Sequence, residues 1–182
     1  EVGDEGANQS ALGRLMSVVE LLVLVGLASL LWKQSRYQLL PTTLFIVDGP
    51  LAMYGPPAKL RGRALEYFQF MDADTPGNAP YLCGLEKTGA MVDFARQLAR
   101  YDVIEPGEVM VCDEEIIRRV TNATNARGYG KETYWGRKFI YRALDGRRVV
   151  PTVMPATGDP YDANGGKPDP KDYPTLPAIL DV

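Results

Sequence analysis

The run VVELLVLVGLASLLW, from Val18 to Trp32, constrains this chain most, because in that whole stretch the only charge is Glu20. A segment so apolar is either a membrane span or a helix that the rest of the protein covers. Two properties favour the covered helix. A bilayer core needs roughly 20 apolar residues, and a carboxylate inside the run is costly in lipid. No A-x-A-like cleavage site leads into an extracellular, cysteine-rich body, which sets a signal peptide aside. The pattern therefore predicts a buried helix over Gln9 to Gln34, capped at Ser10. Its apolar residues surround most of the circumference, as in a helix covered on several sides. Residues 1–8 are polar and read as a frayed end.

Downstream, TLFIVDG is a continuous apolar run stopped by Gly49 and Pro50, which predicts a buried strand from Thr43 to Asp48. Helices follow at Leu60 to Met71 and Gly89 to Arg100, and strands at Tyr81 to Leu85 and Val109 to Cys112. Asp113 is placed to cap a helix running to Thr121. Asp145-Gly146 is a two-residue hairpin signal between strands Tyr134 to Arg142 and Arg148 to Met154. Residues 155–175 read as a surface loop, with a short helix after it. A chain of 182 residues, 46% hydrophobic, is enough for one domain. The expected fold class is α/β, a mixed sheet flanked by helices.

Net charge is -3, which argues against a globally basic coat for nucleic acid. The charge is uneven, however. Between Arg118 and Arg148 nine basic residues face only Glu132 and Asp145, giving that segment +7. Such a run is either a solvated face or a surface for phosphate. The stretch Asp102 to Glu115 is acidic, with no Lys or Arg. Cys83 and Cys112 stand in apolar strands as small core residues of a reduced, cytoplasmic protein. With no histidine in the chain and no second cysteine at ligand spacing, the usual zinc sites are excluded.

Two acids stand out. Asp48 ends an apolar strand where an open α/β sheet meets solvent, the edge at which such sheets place their sites. It is either a hard-oxygen ligand for magnesium or manganese or a turn former hydrogen-bonded to the backbone. Glu20 is either a carboxylate held by a cation, as burial demands, or an exposed position on an amphipathic helix.

The segments MSVVELL, LFIVDGPL, GLEKTG and ETYWGRKFIYR, followed by the closing DYPTLPAILDV, occur in an order and rough spacing that resemble the NurA family of DNA-repair nucleases over about residues 10–182. The resemblance implies a ribonuclease H-like (PIWI-like) domain, here 1–182 as a single, incomplete unit. It implies a Mn2+- or Mg2+-dependent deoxyribonuclease, an end-resecting exonuclease and single-strand endonuclease of double-strand break repair. It further implies a homodimer that works with a HerA-type hexameric ATPase; that no membrane is involved is expected from the length of the apolar run and from Glu20 within it. Glu20 and Asp48 match metal-binding acids, and Lys87 matches a lysine near the active site. Tyr134, Gly136 and Arg137 match a segment that shapes the site or holds its strand. DNA contacts are expected from Arg118, Arg127, Lys131, Tyr134, Arg137 and Lys138, with Trp135 either stacking on bases or packed in the core and Phe139 in the core. The family's upstream aspartate and C-terminal histidine have no counterpart here. The alternatives are a non-catalytic DNA-binding or scaffold relative that engages the ATPase, and a protein anchored in a membrane through Leu21 to Trp32.

Overall fold

A computed structural model describes residues 2–53, 56–122 and 135–153. Its elements are α1 (Val2–Lys33), β1 (Leu44–Asp48), α2 (Leu60–Asp74), β2 (Tyr81–Glu86), α3 (Ala90–Arg100), β3 (Val109–Cys112), α4 (Glu114–Val120), β4 (Arg137–Arg142) and β5 (Arg148–Val153), with 3-10 turns at Tyr37–Thr42 and Pro56–Lys59. The expected surface loop at 155–175, and the short helix after it, lie outside the described residues.

The strands form one five-stranded sheet in the order β1-β2-β5-β4-β3. β1 and β2 are parallel, and every other neighbouring pair is antiparallel. The chain is therefore an α/β protein with a mixed sheet flanked by helices. Side chains alternate across a strand, so register sorts them onto two faces. Val47, Gly84, Thr152, Lys138 and Cys112 lie in one row on the first face. Both large core clusters belong to that face. One joins Leu82 to Leu21, Leu24 and Ala28 of α1, to Leu65, Phe68 and Met71 of α2, and to Trp135. The other joins Cys112, Ile140 and Val150 to Met91 and Ala95 of α3 and Ile117 of α4. The second face carries a smaller cluster of Cys83, Phe139 and Val153.

The first helix departs from expectation. It is helical from Val2, so Ser10 is inside it rather than at its cap. It is not covered on several sides. Leu21, Leu24 and Ala28, spaced i, i+3 and i+7, face the core, while Leu12, Leu15, Met16, Val19, Leu22, Val23, Leu27 and Leu30 are each half exposed or more. The stretch Ala11–Lys33 is also long and apolar enough to cross a membrane by length and composition: it contains an 18-residue window with a mean hydropathy of 2.3, of which only 17% is buried. The helix is fastened to α2 by a 2.7 Å hydrogen bond between Ser29 Oγ and the Tyr67 hydroxyl and by an edge-on contact of Trp32 with Phe70. A narrow stripe, Leu21, Leu24 and Ala28 flanked by the partly buried Val18, Val25, Leu31 and Trp32, therefore holds α1 down, which periodicity could not distinguish from full burial in a helix apolar all round.

The hairpin differs too. Gly146 donates to Ala143 O, Ala143 donates to Arg147 O, and Gly146 has a φ of 83°. That is a three-residue loop, a type I turn closed by a left-handed glycine, rather than the two-residue turn that Asp-Gly suggests. Asp145 closes it by accepting from the Arg147 backbone N–H, which with the Arg147 side chain lowers its pKa. The expected cap on α4 is in place, with Asp113 Oδ1 accepting from Ile116 N at 2.7 Å.

Gly84 ties the fold to the edge of the sheet. A Cβ built there would meet Leu51 N at 2.3 Å and Gly49 O at 2.7 Å, because the chain leaving β1 folds back over β2. We expect Gly84→Ala to cost about 3 kcal/mol, the upper end for overpacking. Gly62→Ala, in helix α2 with nothing within 4 Å, should be neutral or stabilising. Urea midpoints of the two variants check this.

Candidate active site

Parallel pairing of β1 and β2 sets the site. Asp48 lies opposite Leu85, and Lys87 is two residues further on, so alternation sends both side chains off the same face. Lys87 Nζ donates to Asp48 Oδ2 at 2.9 Å. Both side chains are about two-thirds exposed, 69% and 67%. An ion pair so open to water contributes only about 0–1 kcal/mol to stability, and either partner is free to exchange it for a ligand. Glu86, between Leu85 and Lys87, points the opposite way into the core and pairs with Lys138.

Glu20 reaches the same place from α1. It is exposed, and with Asp48 it lines a cavity of about 420 Å³ closed by Val47, Leu51, Met53 and Trp135. The same two acids also line a second groove of about 380 Å³, between α1 and the open edge of β1. Glu20 is thus an exposed carboxylate at the mouth of a shared cavity, the second of the two alternatives that the sequence left open. Its hard oxygens and those of Asp48 suit magnesium or manganese, which keep several waters and take one or two carboxylates from the protein. Among the described residues, no cluster of three or more acids, cysteines or histidines stands ready to hold a metal.

The basic segment looks different from its sequence. Lys138 is 1% exposed and paired with Glu86, so it makes no contact with DNA from this position. Its burial follows from the place of β4 inside the sheet, with its central residues buried on both faces. Arg137 is half buried at the start of β4, opposite Val153 and so two residues down β2 from the level of Asp48. Arg118 is exposed in the last turn of α4. Arg127, Lys131 and Tyr134 lie outside the described residues. Arg119 pairs with Glu115, Arg142 with Asp102 and Arg147 with Asp145. Three of the nine basic residues thus pair with acids outside the segment, Glu86, Asp102 and Glu115, the last two in the acidic stretch before it. Phe139 is in the core as expected, in the cluster on the second face, and Trp135 is in the core on the first, 1% exposed, with its backbone N–H donating to Leu51 O at 2.9 Å.

The cysteines are not nucleophiles. Burial pushes the Cys83 and Cys112 thiols up to about 12, so thiolate is scarce at neutral pH.

No known family model, curated protein or solved structure matches this chain. The site must be judged on its own chemistry.

Two contributors escaped the sequence reading. Arg14 and Ser17 line the Glu20–Asp48 cavity, and a signal for them was present: 14, 17 and 20 are polar positions three apart in a stretch, Ala11 to Trp32, that is otherwise apolar but for Ser29. The Glu86–Lys138 pair had no such signal, since nothing local says that β4 is interior.

Proposed function

We propose that this chain is the core of a divalent-metal-dependent deoxyribonuclease of the NurA kind, built on a ribonuclease H-like sheet. The observation that carries the reading is the meeting of Glu20 and Asp48 at one cavity, with Lys87 on Asp48. Glu20 and Asp48 would hold the cation, Mn2+ or Mg2+. When bound, the cation supplies a nucleophile from water and neutralises charge on the phosphate. Lys87 leaves Asp48 and offers its ammonium to the oxygens of the attacked phosphate, where a mobile point charge stabilises the added negative charge. Asp48, freed of Lys87, would then be a ligand for the cation.

The same reading assigns the partners. The exposed apolar face of α1 is covered by protein, a second copy or a HerA-type ATPase, in a cytoplasmic complex. Glu20 and Arg14 interrupt that helix, and Leu21, Leu24 and Ala28 are committed to the core, which disfavours lipid. Arg118 and Arg137 remain the described candidates for the DNA backbone. One observation favours a second reading, a non-catalytic DNA-binding scaffold that engages the ATPase: the described residues supply two acids where metal nucleases commonly use more.

Degradation of end-labelled linear and single-stranded DNA by the intact protein tests the two. Cleavage in Mn2+ that EDTA abolishes, and that falls at least about 100-fold in Glu20→Gln, supports the nuclease. DNA binding without cleavage in either metal supports the scaffold, and Glu20→Gln cutting at the parental rate removes Glu20 from the site.

A further inference from the structure

Within Ala11–Lys33 the charged residues are Arg14, Glu20 and Lys33, and the hydroxyl-bearing ones are Ser17 and Ser29. On a helix this apolar, each polar side chain is a departure from the pattern. Arg14, Ser17 and Glu20 are spaced three apart, so they run as a slanting polar line along neighbouring turns. All of them line the cavity that ends at Asp48. The outward face elsewhere on α1 is leucine and valine, so a solvated helix surface does not account for where these residues fall.

Their pairing is equally uneven. Asp48 already has Lys87. Ser17 Oγ donates to Gly13 O at 3.1 Å, which leaves its oxygen as an acceptor only. Arg14 is exposed and forms no ion pair among the described residues. The cavity thus holds two carboxylates at one end and an uncommitted guanidinium further along α1. At about 420 Å³ it is of small-molecule scale, about 300–1,000 Å³, fit for a nucleotide unit and closed to a duplex. A guanidinium matches phosphate with two parallel N–H donors.

We propose that Arg14 is the phosphate-holding residue of this cavity, gripping the phosphate next to the one attacked at Glu20 and Asp48, so that the cavity takes a single strand. The inference rests on the phosphodiester reading of the site. Arg14 fixes where along the strand the acids act, and Ser17 leaves room beside it.

Binding without metal separates this from catalysis. Fluorescence anisotropy of a labelled single-stranded oligodeoxynucleotide is followed with the intact protein in EDTA across a salt series. Arg14→Gln is expected to weaken binding about tenfold at low salt. It should also lower the magnitude of the slope of log K against log salt by about 0.7, the value of one phosphate contact on a single strand. Arg14→Lys keeps the slope and recovers part of the affinity. Circular dichroism and the melting temperature of both variants should equal the parent, since the side chain is exposed. An unchanged slope and affinity in Arg14→Gln overturns the proposal, as does a parent that does not bind the oligonucleotide at all. A parent that binds and shows the Arg14 slope change, yet does not cut in Mn2+, upholds the phosphate contact and sinks the nuclease instead.

Discussion

Lys138→Met is expected to destabilise the protein by about 3–5 kcal/mol, the range for leaving one member of a buried ion pair alone. Lys138 is 1% exposed and its partner Glu86 9%, so an orphaned carboxylate on the packed face of the sheet would be poorly solvated. The double variant Lys138→Met with Glu86→Leu should recover most of the loss, because an apolar pair removes both desolvation penalties. Urea unfolding decides between these outcomes. A midpoint that falls in the single variant and returns in the double, at constant m, fits the buried pair. A single variant as stable as the parent means that Glu86 finds solvent and the pair is peripheral.

This pair also shows where sequence reasoning stops. Every described strand was legible, since each is an apolar or alternating run closed by Gly, Pro or Asp, and their observed bounds differ from expectation by a residue or a few. Which strand lies inside the sheet was not legible. RKFIYR carries charge at both ends, as an edge strand or a DNA-facing strand would, and only the order β1-β2-β5-β4-β3 puts Lys138 under cover. Charge counting failed for the same reason: Asp102 and Arg142, 40 residues apart, meet at 2.9 Å.

The helix misled in the other direction. Composition said that α1 must be hidden, yet composition reports how apolar a segment is, while burial depends on how much partner surface the rest of the chain supplies. Here that surface reaches Leu21, Leu24 and Ala28 and leaves the next stripe over open. Asp48 was the most legible site residue, because a carboxylate that ends a parallel strand is carried to the sheet edge by geometry alone. Lys87 followed from parity once the register with β1 was known, and without that register it was one lysine among others.

Asp48→Asn is expected to abolish metal-dependent cleavage, a loss of at least about 100-fold, with the melting temperature almost unmoved because the side chain is two-thirds exposed and its ion pair contributes at most about 1 kcal/mol. Lys87→Met separates the roles of the two partners, since its effects on metal and on turnover should have opposite signs. Lys87 now neutralises Asp48 at 2.9 Å, so it competes with any cation for that carboxylate. A unit charge at this distance in water is worth on the order of 1 kcal/mol, so its removal should tighten half-saturation by Mn2+ up to about tenfold. Turnover should nevertheless fall about 10- to 100-fold, because the ammonium no longer meets the charge that builds on the phosphate. Metal titrations of rate for parent, Asp48→Asn and Lys87→Met separate these effects. If Lys87→Met weakens metal binding and turnover together, the lysine only positions Asp48. If it changes neither, the 2.9 Å contact is an ordinary surface pair and the chemistry lies elsewhere.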